Sequence, residues 1–295
     1  MLEVKQMEQK STKVIRSSSP INYSYATIKI TQSRLDKGLI AIPVALAESF
    51  PDHNEDVQVF LDNSPASQTK HYCSYTSSAG ENRILGVTEW FRQNNIKRGD
   101  EIVIQFIDKE RFIYRLIPER NFVSETKQLE SGLDSSENEQ DALEKITTLA
   151  HWTHLNEEKV VASEYLRLVN AVPIVRRRYV ERSASRVREN VPANLRTLLR
   201  NIYQGHCQVC DFWFLKRDAQ PYFETHHLDP SRGHHPKNVL VVCGNCHNQF
   251  EHANLKHEFN DDQWLTKVCF NERTHPVKQA VLSMKVEGFF KELFV

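Results

Sequence analysis

Residues 205–252 read "GHCQVCDFWFLKRDAQPYFETHHLDPSRGHHPKNVLVVCGNCHNQFEH", and this stretch sets which fold the C-terminal half of the chain can adopt. It contains two Cys-x-x-Cys pairs, Cys207 with Cys210 and Cys243 with Cys246. The two thiolates of such a pair lie in one tight turn and reach a single tetrahedral ion, so two pairs supply all four ligands. The sequence therefore predicts a closed zinc site, which supports a fold and performs no catalysis.

The segment between the two cysteine pairs has the pattern of a β-hairpin followed by a helix. It divides into a first strand, a loop, a second strand and a helix start, which are "YFETHHL" (222–228), "DPSRGHHPK" (229–237), "NVLVVC" (238–243) and "NCHNQFEHANL" (245–255). Adjacent residues of a strand point to opposite faces, so His226 and His227 are not expected to serve the same point. One imidazole would then bind a metal while its neighbour does something else.

These residues resemble the HNH nuclease family, which has the ββα-metal fold, and within it the subgroup with a four-cysteine zinc. The resemblance covers residues 195–256 and rests on the patterns C-x-x-C, E-x-H-H-x-x-P, N-V-L and C-x-x-C-H. It implies that His226 and His247 bind a catalytic cation, Mg²⁺ or Mn²⁺, and that His227 is the general base. It also implies that Asn238 is a strut that crosses the loop and orients the base. The cation would bind a phosphate oxygen and the leaving 3′ oxygen.

Some polar residues near the motif have no fixed role in the sequence. Many relatives carry a histidine four residues after the position of His247, where this chain has Glu251 followed by His252. Either of these can approach the cation, and both stay outside the predicted metal set. Glu224 either orients a histidine or is simply exposed. Three further histidines are expected to be solvated rather than ligands: His234, His235 and His257.

Length, charge and cysteine usage limit the class of protein. A chain of 295 residues is long enough for two domains and a connector. Its 38 Lys+Arg balance its 38 Asp+Glu, so no global basicity indicates a nucleic-acid partner. The polar N-terminus and the lack of a run of about 18 apolar residues predict a cytoplasmic protein without a membrane segment. Cys73 and Cys269 are interpreted as ordinary packed thiols.

The N-terminal half has the alternation of a small barrel. After an expected flexible tail, residues 1–21, the region 22–120 contains six strand-like runs: 23–31, 38–43, 56–62, 69–76, 100–108 and 111–118. Two short helices, 44–50 and 87–94, are expected between them, and Lys109-Glu110 is predicted to be a tight hairpin connection.

Two stretches of this region carry a second resemblance. "SRLDKGLIAIPVALAESFP" (33–51) and "GVTEWFRQNNIKRGDEIVIQF" (86–106) resemble the DNA-binding pseudobarrel superfamily, which includes the plant B-three domains and recognition domains of some restriction enzymes. The resemblance implies DNA contacts by four side chains: Arg34, Lys37, Lys70 and Arg83. Surface charges that only keep the protein soluble remain an equal alternative for each of them.

The charge changes sign along the second half. Residues 121–140 are predicted to be an acidic, solvated linker, because seven carboxylates between residues 124 and 144 face only Lys127. Residues 141–295 are interpreted as a helical connector, with helices over 141–154 and 157–170, plus the nuclease domain. Residues 176–200 hold eight arginines and are predicted to form a helical basic stripe that contacts phosphates. The expected DNA contacts there are Arg176, Arg177 and Arg178.

The fold class predicted from these patterns is α+β with two domains, an N-terminal β-pseudobarrel and a C-terminal ββα-metal HNH domain with a structural zinc. The predicted function is a restriction-type DNA endonuclease that recognises a short site in double-stranded DNA. The site itself, the need for a modified base and the cut positions are not fixed by the sequence. Each HNH site cuts one strand, so double-strand cleavage predicts a homodimer or sequential nicking.

Two alternatives to this function stay open. The first is a nicking or homing-type nuclease with loose specificity, which only the mapping of its products would separate from a restriction enzyme. The second is a zinc-dependent DNA-binding regulator with a degenerate finger, which would bind DNA and cleave none with any divalent metal.

Overall fold

The computed structural model describes residues 20–74, 82–171, 179–182, 185–188 and 190–282. The chain divides into two compact units, Met1–Lys127 and Gln128–Val295. Most of the predicted tail, 1–21, and all of Arg176, Arg177 and Arg178 lie outside the described residues. Within the described ranges, no helix has both the length and the apolar character that crossing a membrane requires.

The first unit contains a seven-stranded sheet. Its strands are β1 (Ala26–Lys29), β2 (Leu39–Ile42), β3 (Glu55–Leu61), β4 (Gln68–Cys73), β5 (Asn82–Leu85), β6 (Glu101–Asp108) and β7 (Ile113–Pro118). The order across the sheet is β1-β6-β7-β3-β4-β5-β2, with β3 and β7 parallel and the other pairs antiparallel. Because β1 and β2 at the two ends also contact each other, the sheet is nearly closed. The predicted barrel is confirmed at this level.

Alternation of apolar and polar residues explains how these strands fill the barrel. In β3, Val57, Val59 and Leu61 are buried while the residues between them are not. Phe50 lies between two tyrosines of the sheet, with ring centroids 4.4 Å from Tyr114 and 5.5 Å from Tyr72. Stacked aromatic rings of this kind contribute beyond the apolar area that they bury.

Short helices lie between these strands. They are α1 (Gln32–Lys37), a 3₁₀ helix (Val44–Ser49) and α2 (Thr88–Gln93). The sequence analysis predicted the last two and missed α1 and β5. Trp90 in α2 is buried, and its Nε1 donates a hydrogen bond to Asp62 at 2.8 Å.

The turn between β6 and β7 is longer than predicted. The strand pairing ends at Asp108, and residues 109–112 form the loop, in which Phe112 has a φ of 53°. Asp108 Oδ1 accepts hydrogen bonds from the backbone N–H groups of Glu110 and Arg111, both at 3.0 Å. This side-chain turn replaces the tight hairpin expected at Lys109-Glu110, because an Asp side chain can mimic a backbone turn.

The predicted acidic linker, 121–140, is mostly helical and not a solvated connector throughout, and the division between the two units, after Lys127, falls within it. The helices here are α3 (Glu119–Asp134) and α4 (Glu139–Thr153). Buried Phe122, Leu133 and Ala142 give these segments apolar anchors. Polar residues of this stretch also have helical roles: the side chain of Asn138 caps α4, and Glu139 lies in its first turn, where the helix dipole favours negative charge.

The predicted basic helix over 176–200 is also wrong in its first part. The described backbone there forms an antiparallel hairpin of β8 (Tyr179–Arg182) and β9 (Ser185–Arg188), followed by α6 (Ala193–Tyr203). "YVER" and "SRVR" have the period of strands, and Pro192 sets the start of α6 because proline cannot lie inside a helix. The preceding helix, α5 (Glu157–Ala171), begins and ends close to the predicted bounds.

The predicted hairpin and helix lie in the second unit. They are β10 (Glu224–His227), β11 (Val239–Val242) and α7 (Gly244–His252), with β10 and β11 antiparallel. A three-stranded antiparallel sheet that the sequence analysis did not predict follows: β12 (Leu255–Phe259), β13 (Leu265–Phe270) and β14 (Arg273–Pro276). Leu240, Phe250 and Val268 belong to the one apolar core that joins these elements.

Gly38 should be less replaceable than Gly99, another glycine of the first unit with a positive φ. Its φ is 59°, it ends α1, and a Cβ there would overlap Oγ1 of Thr88. We expect Gly38→Ala to lower the free energy of unfolding by about 2–5 kcal/mol, from left-handed strain together with overpacking.

Gly99→Ala is the matched control, since Gly99 has a φ of 96° but a Cβ there would meet nothing within 4 Å. It should lose only the strain of about 1–2 kcal/mol. Urea denaturation measures the free energy of unfolding of both variants. Equal losses would contradict the expected overlap between a Cβ at residue 38 and Thr88.

Candidate metal centres and catalytic cleft

The four cysteines of the two Cys-x-x-Cys pairs come together in the second unit. Their sulfur atoms all lie within 4.8 Å of one another, and Sγ of Cys210 is 3.6 Å from Sγ of Cys243. Four sulfurs held about 2.3 Å from a tetrahedral zinc are roughly 3.8 Å apart. The cluster therefore has the geometry of a structural zinc site, as the spacing of the cysteines predicts.

The backbone around the cysteines prepares the cluster for a metal. Cys243 is the N-cap of α7, and its Sγ accepts a hydrogen bond from the N–H of Cys246 at 3.4 Å. The Cys246 thiol and nearby backbone N–H groups donate to Cys207, and these hydrogen bonds lower the pKa of Cys207. The pKa of Cys246 is raised, because its proton is held in that hydrogen bond. A thiolate, the form that binds zinc, is thus stabilised within the cluster.

A second group of potential ligands lies between β10 and α7. Oε1 of Glu251 is 3.7 Å from Nδ1 of His226 and 3.9 Å from Nε2 of His247. His247 and Glu251 are one helical turn apart, so they project from the same face of α7. The ring of His226 stacks on Phe250 at 4.4 Å, which holds it beside the helix. The structure thus brings the two predicted metal ligands together and adds Glu251, which the sequence analysis left outside the set.

Glu224 controls which nitrogen of His247 faces this group. Its Oε2 accepts a hydrogen bond from Nδ1 of His247, and its Oε1 accepts one from the hydroxyl of Tyr222. These two hydrogen bonds lower the pKa of Glu224, that from Tyr222 having the larger effect. Nε2 of His247 is then the nitrogen that faces Glu251. Of the two roles left open for Glu224, the structure shows the orienting one, an arrangement common around metal-binding histidines.

His226 is suited to bind a cation because it stays uncharged. Its side chain is 7% exposed, and burial lowers its pKa to about 4, with a smaller contribution from repulsion by His247 and His257. At neutral pH the imidazole is therefore neutral, and the lone pair of Nδ1 is available to a metal.

His227 has different partners from those of His226. It is buried, and its Nε2 is 3.1 Å from Nδ1 of His234 in the loop that follows. Asn238 spans that loop: its Nδ2 donates to the carbonyl oxygens of Asp229 and Gly233, and its Oδ1 accepts from the N–H of Asp229 at 2.8 Å. The structure therefore places Asn238 as a strut of the loop that begins next to His227.

The other histidines do not all lie where they were expected. His235 is 4% exposed, and its Nε2 donates to the carbonyl oxygen of Val169 at 2.9 Å, so the prediction of a solvated side chain was wrong. Burial lowers its pKa. His234, the partner of His227, is half-buried, whereas His257 is exposed as expected. A loop histidine that satisfies a buried carbonyl cannot be distinguished from a solvated one by its position in the sequence.

The candidate metal-binding and catalytic residues line a cleft of about 680 Å³ in the second unit. His226, His227, His247 and Glu251 form one part of its wall. The other part includes three residues around the start of α4, Glu137, Asn138 and Glu139, and Arg196 of α6. The sequence analysis assigned the start of α4 to a solvated linker and gave Arg196 no individual role. The cleft thus contains two imidazoles and a carboxylate that can reach the same cation. A third imidazole, that of His227, lines the same cleft.

The four basic residues predicted to contact DNA from the first unit lie in three elements. Arg34 and Lys37 are in α1, Lys70 is in β4 and Arg83 is in β5. The Nζ of Lys70 donates to the carbonyl oxygen of Gly86 at 2.6 Å, and the next N–H, that of Val87, donates to Gly38 at the end of α1. Lys70 and the end of α1 are therefore joined through the same short segment. Their role in DNA contact stays a prediction.

No protein-family model matches the chain, and no curated protein is significantly similar to it. Among solved structures it is similar to an Arabidopsis FUS3–DNA complex, with 12% identity and a TM-score of 0.26, over 31% of this chain and 92% of that one. It is also similar to the Arabidopsis thaliana transcription factor LEC2 in complex with DNA, with 19% identity and a TM-score of 0.27, over 31% and 88%.

Replacement of a zinc ligand should unfold the hairpin and helix. Cys207→Ser removes one of four ligands, and binding of structural zinc contributes about 10–16 kcal/mol to the folding of small zinc domains. We expect the variant to lose the zinc that survives dialysis and to show a lower thermal unfolding temperature. Elemental analysis and calorimetry measure both effects. Cys73→Ser, a half-buried thiol in the first unit, is the control, and full zinc retention by Cys207→Ser would contradict the site.

The two neighbouring residues Glu251 and His252 should differ in metal binding. Glu251→Gln is expected to weaken binding of Mn²⁺ to the zinc-loaded protein by about 10- to 100-fold, as loss of a partner at a metal site typically does. His252→Ala should leave it unchanged, because His252 lies outside the ligand group and the cleft wall. Calorimetric titration with Mn²⁺ measures both, and an equal response of the two variants would remove Glu251 from the site.

Proposed function

We propose that this chain is a DNA endonuclease of the restriction type. The second unit would hydrolyse phosphodiester bonds in the manner of the HNH family that it resembles, and the barrel of the first unit would recognise a short duplex site. One observation carries the proposal: His226, His247 and Glu251 lie within reach of one cation, and His227 lines the same cleft. Without the catalytic imidazole beside it, the metal group would be compatible with many other roles.

The donor set fits a divalent cation. Neutral imidazole nitrogens suit transition-metal ions and a carboxylate oxygen suits harder ions, so two histidines with Glu251 favour Mn²⁺ over Mg²⁺. When bound, the cation would supply positive charge at a phosphate oxygen and at the leaving 3′ oxygen. Glu224 orients His247 so that its Nε2 faces Glu251, and the depressed pKa of His226 keeps Nδ1 available.

His227 would perform the proton transfer. A neutral imidazole can accept a proton from the water that attacks the phosphorus. Its hydrogen bond with His234 fixes the ring, and the hydrogen bonds of Asn238 fix the loop between them. The base is therefore held in place before the substrate arrives.

The partner implied by this chemistry is double-stranded DNA. Under the proposal, Arg34, Lys37, Lys70 and Arg83 contact bases or phosphates from the barrel. One such cleft cuts one strand, so double-strand cleavage would need a homodimer or two successive nicks. Products that stop at the nicked stage would indicate the nicking enzyme instead.

His227→Ala tests the mechanism. General-base catalysis contributes about 10²- to 10⁴-fold, so we expect a loss of that size in the rate of plasmid cleavage with Mn²⁺, at unchanged affinity for Mn²⁺. His252→Ala, an exposed histidine outside the cleft wall, is the control and should cleave normally. Full activity of His227→Ala would refute the role of the base. A wild-type protein that binds DNA and cleaves none with any divalent cation would instead be a DNA-binding regulator.

A further inference from the structure

The charges of the cleft do not favour a phosphate. Of the described lining residues, Glu137, Glu139 and Glu251 carry negative charge, while Arg196 alone has a permanent positive charge. A phosphodiester is an anion and gains further negative charge as it is attacked. A bound divalent cation would contact the phosphate, but its two charges would be offset by the surplus of carboxylates. A fixed cationic side chain in the cleft would add positive charge directly at the phosphate.

Arg196 is held where it can do so. Its guanidinium carbon lies 4.3 Å from the centroid of the Phe223 ring, and its Nε donates to Oε1 of Glu139 at 2.7 Å. The stacking contact with Phe223 does not depend on Glu139. The side chain is about one-third exposed, at 32%, so it is both positioned and accessible.

Glu139 has a second partner, so another anion can replace it as the partner of Arg196. Its other oxygen, Oε2, accepts a hydrogen bond from Nη1 of Arg200 at 3.0 Å. Arg200 lies one turn further along α6 and is not part of the cleft wall. Glu139 also lies in the first turn of α4, where the helix dipole stabilises its charge. It can thus give up Arg196 without becoming an unpaired buried carboxylate.

We propose that Arg196 is a phosphate ligand, and that a non-bridging oxygen of the DNA backbone replaces the carboxylate of Glu139 as its partner while Arg200 retains Glu139. The inference rests on the proposed function, because it assumes a phosphodiester in this cleft. Guanidinium groups bind carboxylate and phosphate oxygens with the same planar geometry, so one can take the place of the other. In the free protein Glu139 occupies the position of the phosphate oxygen.

Binding of mixed-sequence duplex DNA in the presence of Ca²⁺, measured by fluorescence anisotropy at several salt concentrations, tests the exchange. A charged hydrogen bond is worth about 1.5–3 kcal/mol, so Arg196→Gln should weaken binding by about 10- to 100-fold. It should also reduce the slope of log affinity against log salt by about 0.9, the value of one phosphate contact. Arg200→Gln, on the same helix and the same carboxylate, should leave the salt slope unchanged, because Arg200 does not contact DNA, and should weaken binding less than Arg196→Gln, because it removes only the residue that retains Glu139.

Glu139→Gln gives the opposite sign and does not depend on the stability of the arginine variants. With the competing charge removed, DNA should bind more tightly than to the wild type. Weaker binding to Glu139→Gln, or equal effects of Arg196→Gln and Arg200→Gln, would overturn the exchange. Zinc content and thermal unfolding of each variant separate loss of fold from loss of a contact.

Plasmid cleavage, measured beside DNA binding, distinguishes the two proposals. If Arg196→Gln still cleaves and its salt slope is unchanged, Arg196 is not a phosphate ligand, while the proposed nuclease activity stands. DNA binding with the expected slope change but no cleavage by the wild type would refute the nuclease and leave the phosphate ligand. A wild-type protein that does not bind DNA would overturn both.

Discussion

The cluster of four cysteine sulfurs is the constraint on which the second unit depends. It links the turn at Cys207 to the start of α7, where Cys243 is the N-cap, and it lies in the same apolar core as β11 and β13. Burial of uncompensated thiolates would be costly, so a metal there both neutralises the sulfurs and fixes the helix. Because His247 follows Cys246 directly and Glu251 lies one turn later, the cluster also sets where both side chains meet His226.

The sequence predicted the part of the site that local spacing determines. The approximate bounds of β10, β11 and α7 follow from a short alternating segment between cysteine pairs, whereas the pairing of His226 with His247 was implied by the resemblance to the HNH family. Glu251 was within reach of the same argument, because residues four apart share a face of a helix. It was left out because a histidine was expected at that position. The position of Glu251 on the helix, rather than the type of its side chain, is what brings it to the metal group.

Charge composition alone gave wrong structures for two stretches whose structure depends on packing and on pairing with distant residues. An acidic stretch and a basic stretch were interpreted as a solvated linker and one phosphate-binding helix. In the structure a carboxylate of the first, Glu139, binds arginines of the second, Arg196 and Arg200, across 57 and 61 residues. No local pattern encodes such a pair, just as none encodes the parallel pairing of β3 with β7. The apolar residues Phe122 and Leu133 were the available signal that the acidic stretch packs against other elements.

The charge of the cleft makes the two ligands of the proposed reaction dependent on each other. With carboxylates in excess over Arg196, the cleft attracts a cation and repels a phosphate until that cation is bound. Since His226 stays neutral, it adds no positive charge that would oppose the cation. Once the cation is in place, it offsets the surplus of negative charge. The proposed exchange at Arg196 then replaces one anion, Glu139, by another, a phosphate oxygen. Under the proposed function, the adjacent imidazoles of His226 and His227 therefore act in sequence, the first in holding the cation and the second in activating water.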